Sequence, residues 1–97
     1  MAIVMRFSGQ GFTKAKYAEC LEKLAAAGAS APAGRLYHVC FGDPNNLTIS
    51  DIWDSRESFE KFAETVVPIV KELGLEYREP EIFEVNNIIA GAQAAAA

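Results

Sequence analysis

Apolar residues recur at every second position in four stretches of the chain, the period of a β-strand with two different faces. The first stretch carries Ile3, Met5 and Phe7 in alternation with other residues. Three later stretches repeat the period and are rich in β-branched and aromatic residues. We therefore predict strands at residues 2–7, 35–41, 47–53 and 81–89.

A turn and a helix start flank the third strand. The turn is Asp43-Pro44-Asn45-Asn46, in which proline presets φ and asparagine tolerates positive φ. The strands on either side are therefore predicted to form an antiparallel hairpin. After the third strand, Asp54 is followed three residues later by Glu57, the pattern of a capping box, so we predict that a helix begins there with Asp54 as N-cap.

Two segments have the apolar spacing of amphipathic helices. The first follows Thr13, a suitable N-cap, and should stop near Gly28. Pro68 should kink or break the second helix near Val66, because its ring removes a backbone donor and clashes with a carbonyl one turn earlier. The predicted apolar stripes are Tyr17, Cys20, Leu21, Leu24 and Ala25 in the first helix, and Phe59, Phe62, Ala63, Val66, Val70 and Leu73 in the second.

The resulting order is β-α-β-β-α-β, which predicts an α+β, ferredoxin-like domain: a four-stranded antiparallel sheet with both helices on one face. The 97 residues suffice for one domain. We assign residues 1–91 to it and predict that the Ala-rich tail at 92–97 is disordered.

The strand residues fall into two sets, or parities, that alternate along each strand and point to opposite faces of the sheet. The composition of the two sets predicts which face the helices cover. One parity is almost wholly apolar and is assigned to the core. The other mixes apolar with polar groups, and a sheet face of this kind usually marks an interface, so we predict a homodimer packed sheet to sheet around a cavity. The core set is Ile3, Met5, Phe7, Tyr37, Val39, Phe41, Ile52, Phe83, Val85 and Ile89; the mixed set is Val4, Arg6, Ser8, Leu36, His38, Cys40, Leu47, Ile49, Asp51, Trp53, Ile82, Glu84, Asn86 and Ile88.

The net charge and the absence of several sequence motifs limit the kinds of partner and cofactor that we predict. The formal net charge is −4 and no basic run occurs, which disfavours nucleic acid and anionic membranes and favours a small organic ligand. No signal sequence or membrane span is recognisable, so a cytoplasmic location is predicted. The two cysteines, Cys20 and Cys40, lack metal-ligand spacing and are interpreted as buried thiols. Phosphate-loop, nucleophile-elbow and dinucleotide motifs are missing, so neither cofactor nor metal is predicted.

Five residues of the mixed set form the candidate site. His38 is the predicted catalytic base, and Asp51 would fix its tautomer. Arg6 and Asn86 are predicted to bind substrate by holding a developing oxyanion, and Trp53 by forming an aromatic wall.

Each of these residues also has a structural interpretation. His38 would be a hydrogen-bonded strand residue, and Asp51 would pair with Arg6 across the sheet. Trp53 would anchor the core or the dimer, and Asn86 would satisfy backbone groups. Tyr17 and Tyr37 are interpreted as core residues with hydroxyls at the rim.

The element order, the hairpin leading into IWDSRESFEKF, the proline at 68 and the closing VNNII resemble the dimeric α/β-barrel proteins of the antibiotic-biosynthesis-monooxygenase superfamily. The resemblance covers roughly residues 2–89 and is greatest to small uncharacterised bacterial members. It implies two ferredoxin-like chains forming a barrel, with a pocket in each subunit between sheet and helices or within the barrel. Some relatives oxidise aromatic polyketides with O₂ and neither metal nor flavin, whereas others degrade haem, isomerise small lactones or have no known reaction.

The haem-degrading branch has an Asn in the first strand, a Trp in the second helix and a His about ten residues later. This chain has Arg6 and Ser8 in that strand, Phe62 near the Trp position, and Lys71 and Glu72 near the His position. Haem breakdown is therefore disfavoured.

Three hypotheses of function follow. The first is a cofactor-free monooxygenase or isomerase acting on a small aromatic or enolisable compound. The second is a dimer that binds a small molecule without turnover. The third is a structural homodimer in which His38 and Trp53 are buried across the seam.

Overall fold

The strands and helices follow one another in the predicted order, β-α-β-β-α-β. The computed structural model describes residues 1–91, and the tail predicted to be disordered, 92–97, lies outside the described residues. The elements are β1 (Ile3–Ser8), α1 (Lys14–Ala26), β2 (Arg35–Asp43), β3 (Asn46–Trp53), α2 (Arg56–Glu72) and β4 (Glu81–Glu84).

The four strands form one antiparallel sheet in the order β2-β3-β1-β4. Helices α1 and α2 contact each other and lie on the same face of the sheet. The core below α2 is built from Met5, Trp53 and Phe59, which are all buried. This arrangement confirms the predicted ferredoxin-like α+β fold.

The strand register corrects the predicted faces of the sheet. Cross-strand partners share a face, and the partners of Met5 are Asp51 and Ile82, while Asp51 is also the partner of His38. The mixed residues of β3, together with His38 and Cys40 of β2 and Ile82 of β4, therefore share the helix-covered face with the apolar residues of β1. The parity assignment was right for β1 and wrong for the other three strands.

The uncovered face of the sheet carries an apolar row that crosses all four strands. Tyr37 pairs with Ile52, Ile52 with Val4, and Val4 with Phe83. Tyr37 and Phe83 are among the large apolar side chains that remain exposed, at 59% and 51% of their surface. We call these four residues the outer row.

The helix ends and the proline differ from the sequence prediction in detail. Thr13 is the N-cap of α1, as predicted, and its Oγ1 accepts a hydrogen bond from the Lys16 amide at 3.2 Å. The N-cap of α2 is Ser55 and not Asp54: the Ser55 hydroxyl accepts from the Ser58 amide. Asp54 instead accepts a 2.6 Å bond from the Ser58 hydroxyl. Helix α2 continues through Pro68 to Glu72, so of the predicted kink or break near Val66 the break does not occur.

Strand β4 is shorter than predicted. It ends at Glu84, and the last bond to β1 is donated by the Val85 amide to the Ala2 carbonyl at 3.0 Å. Asn86 therefore lies beyond the strand, where it is exposed. Within the part of the chain that the structure describes, no helix is long and apolar enough to cross a membrane.

Candidate active site

Three side chains from three elements form one hydrogen-bonded chain under the helices. His38 of β2 and Asp51 of β3 are cross-strand partners, and the His38 Nδ1 lies 2.6 Å from Asp51 Oδ1. The other ring nitrogen, Nε2, lies 2.7 Å from the hydroxyl oxygen of Tyr17, in the first turns of α1. The sheet register thus sets the first contact, and the packing of α1 on the sheet sets the second.

The chemistry of the carboxylate, imidazole and phenol determines which group donates and which accepts in these two hydrogen bonds. A carboxylate only accepts hydrogen bonds, so Nδ1–H donates to Asp51. In the neutral imidazole, Nε2 then accepts, and its partner is the Tyr17 O–H. Partial burial raises the pKa of Tyr17 above its ordinary value, with smaller contributions from nearby groups, so the phenol remains a donor at neutral pH.

Burial and packing fix the orientation of these three hydrogen-bonded side chains. Asp51 is only 4% exposed, and it is the one buried charged residue within residues 1–91. The rings of Tyr17 and His38 are nearly parallel, with 9° between their planes and 6.0 Å between centroids. Phe12 meets the Tyr17 ring edge to face at 5.9 Å. The phenol is therefore held between Phe12 and the imidazole, which limits its rotation.

All three residues line a cavity of about 140 Å³ between the sheet and the helices. This volume is below the roughly 300 Å³ at which drug-sized ligand sites begin. Most of the wall is apolar or aromatic. The remaining lining residues are Phe7, Ser8, Gly9, Gln10, Phe12, Cys20, Leu21, Leu24, Arg35, Ile49, Phe59, Phe62, Val66, Val70, Leu75, Glu76, Tyr77 and Arg78.

The structure brings together only part of the predicted site. His38 and Asp51 form the predicted pair. Trp53 shares their face of the sheet, but it is fully buried against Phe59 and Phe62 and does not line the cavity, so its position does not support an aromatic wall.

The two predicted oxyanion-binding residues lie elsewhere. Arg6 has Ser50 and Glu81 as cross-strand partners, which places it on the uncovered face, and it is exposed. The alternative pairing of Arg6 with Asp51 is wrong for the same reason. Asn86 is exposed beyond β4 and, like Arg6, is not among the residues that line the cavity.

Two residues of the cavity were missed by sequence reasoning. Tyr17 was interpreted as a core residue, although a phenol on the apolar stripe of a helix carries a hydrogen-bonding group that needs a partner when it is buried. Arg35 lines the cavity because of a register shift between Arg35 and Tyr37. The sequence contains no signal for such a β-bulge.

The cysteines match their interpretation as thiols. Both are free; Cys20 is buried in α1, and Cys40 is partly buried on β2. Burial raises the pKa of each thiol, which lowers its reactivity as a nucleophile. No group of three His, Cys, Asp or Glu side chains within residues 1–91 is arranged to hold a metal ion.

Several solved structures have a similar fold, among them two proteins described as candidate antibiotic biosynthesis monooxygenases. A candidate member of that group from Deinococcus radiodurans is 16% identical at a TM-score of 0.59, over 93% of this chain and 97% of the other. A second candidate member, from Chloroflexus aurantiacus J-10-fl, is 22% identical at a TM-score of 0.57, over 94% and 95% of the chains. SnoaB from Streptomyces nogalater, a cofactor-independent oxygenase, is 19% identical at a TM-score of 0.59, over 93% of this chain and 96% of the other.

These similarities, all below 25% identity, show that the chain shares its fold with these three proteins. No family model and no curated protein matches the sequence.

Proposed function

We propose that the protein is a cofactor-free enzyme that removes a proton from a small aromatic or enolisable compound bound beneath α1. The observation that carries this proposal is the Tyr17–His38–Asp51 chain, with contacts of 2.7 and 2.6 Å, in the wall of an apolar cavity. A base, a group that orients it and an apolar site for the substrate are the parts that such a reaction needs.

The proton path runs through Tyr17 because both ring nitrogens of His38 are engaged. The hydroxyl of a bound phenol or enol donates to the Tyr17 oxygen, which still has lone pairs free to accept. As that proton transfers, the Tyr17 proton moves to Nε2. The resulting imidazolium is stabilised by the buried Asp51 carboxylate, and the substrate is left as its more reactive anion.

Oxygenation is the proposed fate of this anion. The substrate carbanion adds O₂ at a carbon that still carries a hydrogen, which forms a C–O bond, and the proton held by His38 returns through Tyr17 to the peroxide. Loss of water, which takes the hydrogen from that carbon, then breaks the O–O bond and leaves a carbonyl. One oxygen atom remains on carbon, the other leaves as water, and the substrate supplies all the electrons. In the isomerase variant of the proposal, the relay formed by Tyr17 and His38 delivers the proton taken from the enol hydroxyl to a carbon of the anion, which gives the keto isomer without O₂.

The fold supports the oxygenase form of the proposal. SnoaB shares the fold at 19% identity and is a cofactor-independent oxygenase. That similarity is an analogy of fold, and residues of this chain carry the chemistry proposed here.

The experiment compares Tyr17→Phe with Tyr37→Phe in a panel of small phenols and hydroquinones, with oxygen uptake and product analysis as readouts. Tyr37 is a matched control because its side chain lies in the outer row, away from the cavity. Loss of the relay should reduce turnover by roughly 10²-fold or more in Tyr17→Phe and His38→Gln, and leave Tyr37→Phe unchanged.

Two results contradict the enzyme proposal. One is turnover in Tyr17→Phe equal to that of the wild type. The other is saturable binding of panel compounds by the wild type with neither oxygen uptake nor isomerised product; this outcome supports the alternative of a binding protein.

We also propose that the chain forms a homodimer through the uncovered face of its sheet. The outer row gives that face a continuous apolar strip, and no element among residues 1–91 covers it. Beside the strip, Arg6 and Glu81 are cross-strand partners of opposite charge. A two-fold axis through the face would let these charges pair between copies, which suits a self-complementary interface.

A further inference from the structure

The volume of the cavity matches that of a single aromatic ring. Its volume is about 140 Å³. A dry protein cavity of about 150 Å³ lined by apolar side chains accommodates benzene. A benzene-sized ring therefore matches the volume of the cavity, whereas a second fused ring exceeds it.

Arg35 supplies a positive charge to the same cavity. Its partner across the sheet is Trp53, so it lies on the helix-covered face, and its guanidinium stacks 5.6 Å from the centroid of Phe62. One guanidinium nitrogen donates to the Ser30 carbonyl at 3.2 Å. The ion pairs found within residues 1–91 do not include Arg35.

The β-bulge at the start of β2 is what directs Arg35 to the cavity. Arg35 and His38 are three residues apart and would lie on opposite faces of a regular strand. The register shift between Arg35 and Tyr37 places both on the helix-covered face. Bulges often redirect a side chain next to a functional site.

The charge of Arg35 acts on the Tyr17 hydroxyl. The positive charge lowers the pKa of Tyr17 and so opposes the larger effect of burial, which raises it. A second cation of the lining, Arg78, is 61% exposed at its side chain and lies 3.7 Å from the Glu76 carboxylate. Arg35 is thus the better placed of the two to receive a ligand anion.

We propose that the site binds a single-ring hydroxyaromatic or enolic acid, with its carboxylate on Arg35 and its hydroxyl on Tyr17. This inference rests on the proposed function and adds the substrate class. Guanidinium groups bind carboxylates through two parallel hydrogen bonds, and Arg35 has donors left for this after its bond to Ser30. The apolar walls then hold the ring between the two polar contacts.

The test measures binding of 4-hydroxybenzoate, phenol and benzoate by calorimetry at neutral pH. A charge-assisted contact should make the wild type bind 4-hydroxybenzoate roughly tenfold more tightly than phenol. Arg35→Gln should reduce this ratio to about one, as expected when the contact is lost. Arg56→Gln is the matched control, because Arg56 is exposed, pairs with Glu60 and does not line the cavity; it should keep the wild-type ratio.

If Arg35→Gln folds poorly, the salt dependence of ligand binding by the wild type tests the same contact. Added salt should weaken wild-type binding of 4-hydroxybenzoate and leave phenol binding unchanged. The two-ring acid 6-hydroxy-2-naphthoate should bind no more tightly than 4-hydroxybenzoate, despite its larger apolar surface.

Three results overturn the inference: an unchanged ratio in Arg35→Gln, wild-type preference for phenol over 4-hydroxybenzoate, or no binding of any single-ring compound. Turnover plays no part in this test. A ligand that binds as predicted but is never converted contradicts the proposed function and leaves the Arg35 subsite standing.

Discussion

At the scale of single residues, the engagement of both His38 nitrogens determines how the site can act. Asp51 occupies Nδ1 and Tyr17 occupies Nε2. A ligand in the cavity therefore reaches the base through Tyr17, and the phenol becomes the group that touches the substrate. The burial of Asp51 makes the charge pair formed by His38 protonation stronger than it would be in water.

The raised pKa of Tyr17 gives a pH-dependent stability. Since the folded-state pKa lies above the unfolded value of 10.0, the neutral phenol stabilises the fold fully below pH 10, and this contribution is lost as the pH rises through the folded-state pKa. The free energy of unfolding should fall more steeply above pH 10 in the wild type than in Tyr17→Phe. Denaturant titrations at a series of pH values above 10 would measure the free energy of unfolding of both proteins. An identical pH dependence in the two would contradict the prediction.

The His38–Asp51 contact should be energetically coupled. Replacing His38 with Ala leaves a buried carboxylate without its partner and should reduce the free energy of unfolding by about 2–4 kcal/mol. The double variant with Asp51→Ala should cost less than the sum of the single changes, with a coupling of about 1–3 kcal/mol. A matched cycle on Val39 and Ser50, cross-strand partners on the uncovered face, should be close to additive. Additive behaviour at His38 and Asp51 would contradict the coupling.

At the scale of elements, two positions in and beside α2 are predicted to affect stability in opposite directions. Pro68 lies inside the helix, where its ring removes a backbone donor. Pro68→Ala should therefore stabilise the protein by roughly 1–3 kcal/mol, seen as a higher Tm. A lower Tm would mean that the surrounding structure depends on the proline.

Gly34 has positive φ and packs against the start of α2. Its φ is +89°, and a Cβ at this position would collide with the side chains of Ser58 and Asp54. The Gly34 carbonyl also accepts a 2.8 Å bond from the Asp54 amide. Gly34→Ala should lower the free energy of unfolding by about 1–3 kcal/mol. Gly28→Ala is a control with similar φ and no close neighbour, and a smaller loss there would isolate the collision.

The elements could be predicted from periodicity, whereas their faces could not. The strands and helices follow from alternation and apolar stripes, which are local properties of the chain. The face assignment failed because it assumed that the covered side of every strand is the more apolar one. His38 and Asp51 are tolerated under the helices because they satisfy each other and Tyr17, and that satisfaction depends on register.

Arg35 shows a second limit of local patterns. Its position in the cavity depends on one bulge, and a shift of one residue moves every later side chain of a strand to the other face. Of the candidate site, the His38–Asp51 pair could therefore be predicted from parity. Tyr17 and Arg35 required the three-dimensional packing.

At the scale of the whole molecule, the uncovered sheet face governs assembly. If it is the dimer interface, sedimentation at micromolar concentration should give twice the 10.5 kDa chain mass. Ile52→Asp, in the middle of the outer row, should shift the protein to monomer, since it places a charge in an apolar interface. Ala18→Asp, on the exposed surface of α1, should leave the dimer intact. A wild-type monomer, or a dimer unaffected by Ile52→Asp, would contradict this interface.

The central claim is that Tyr17, His38 and Asp51 form one proton relay that a ligand can reach. His38 is the only histidine in the chain, so nitrogen NMR of the imidazole reports on the relay without assignment ambiguity. We expect Nδ1 to carry a proton, as its contact with Asp51 requires, and the Nε2 resonance to change in Tyr17→Phe but not in Tyr37→Phe. Saturation with 4-hydroxybenzoate should shift the Nε2 resonance, because the ligand hydroxyl donates to the Tyr17 oxygen and strengthens the hydrogen bond from Tyr17 to Nε2. A ring protonated at Nε2 alone in the free protein, or a ring that responds neither to Tyr17→Phe nor to any bound hydroxyaromatic, would contradict the relay.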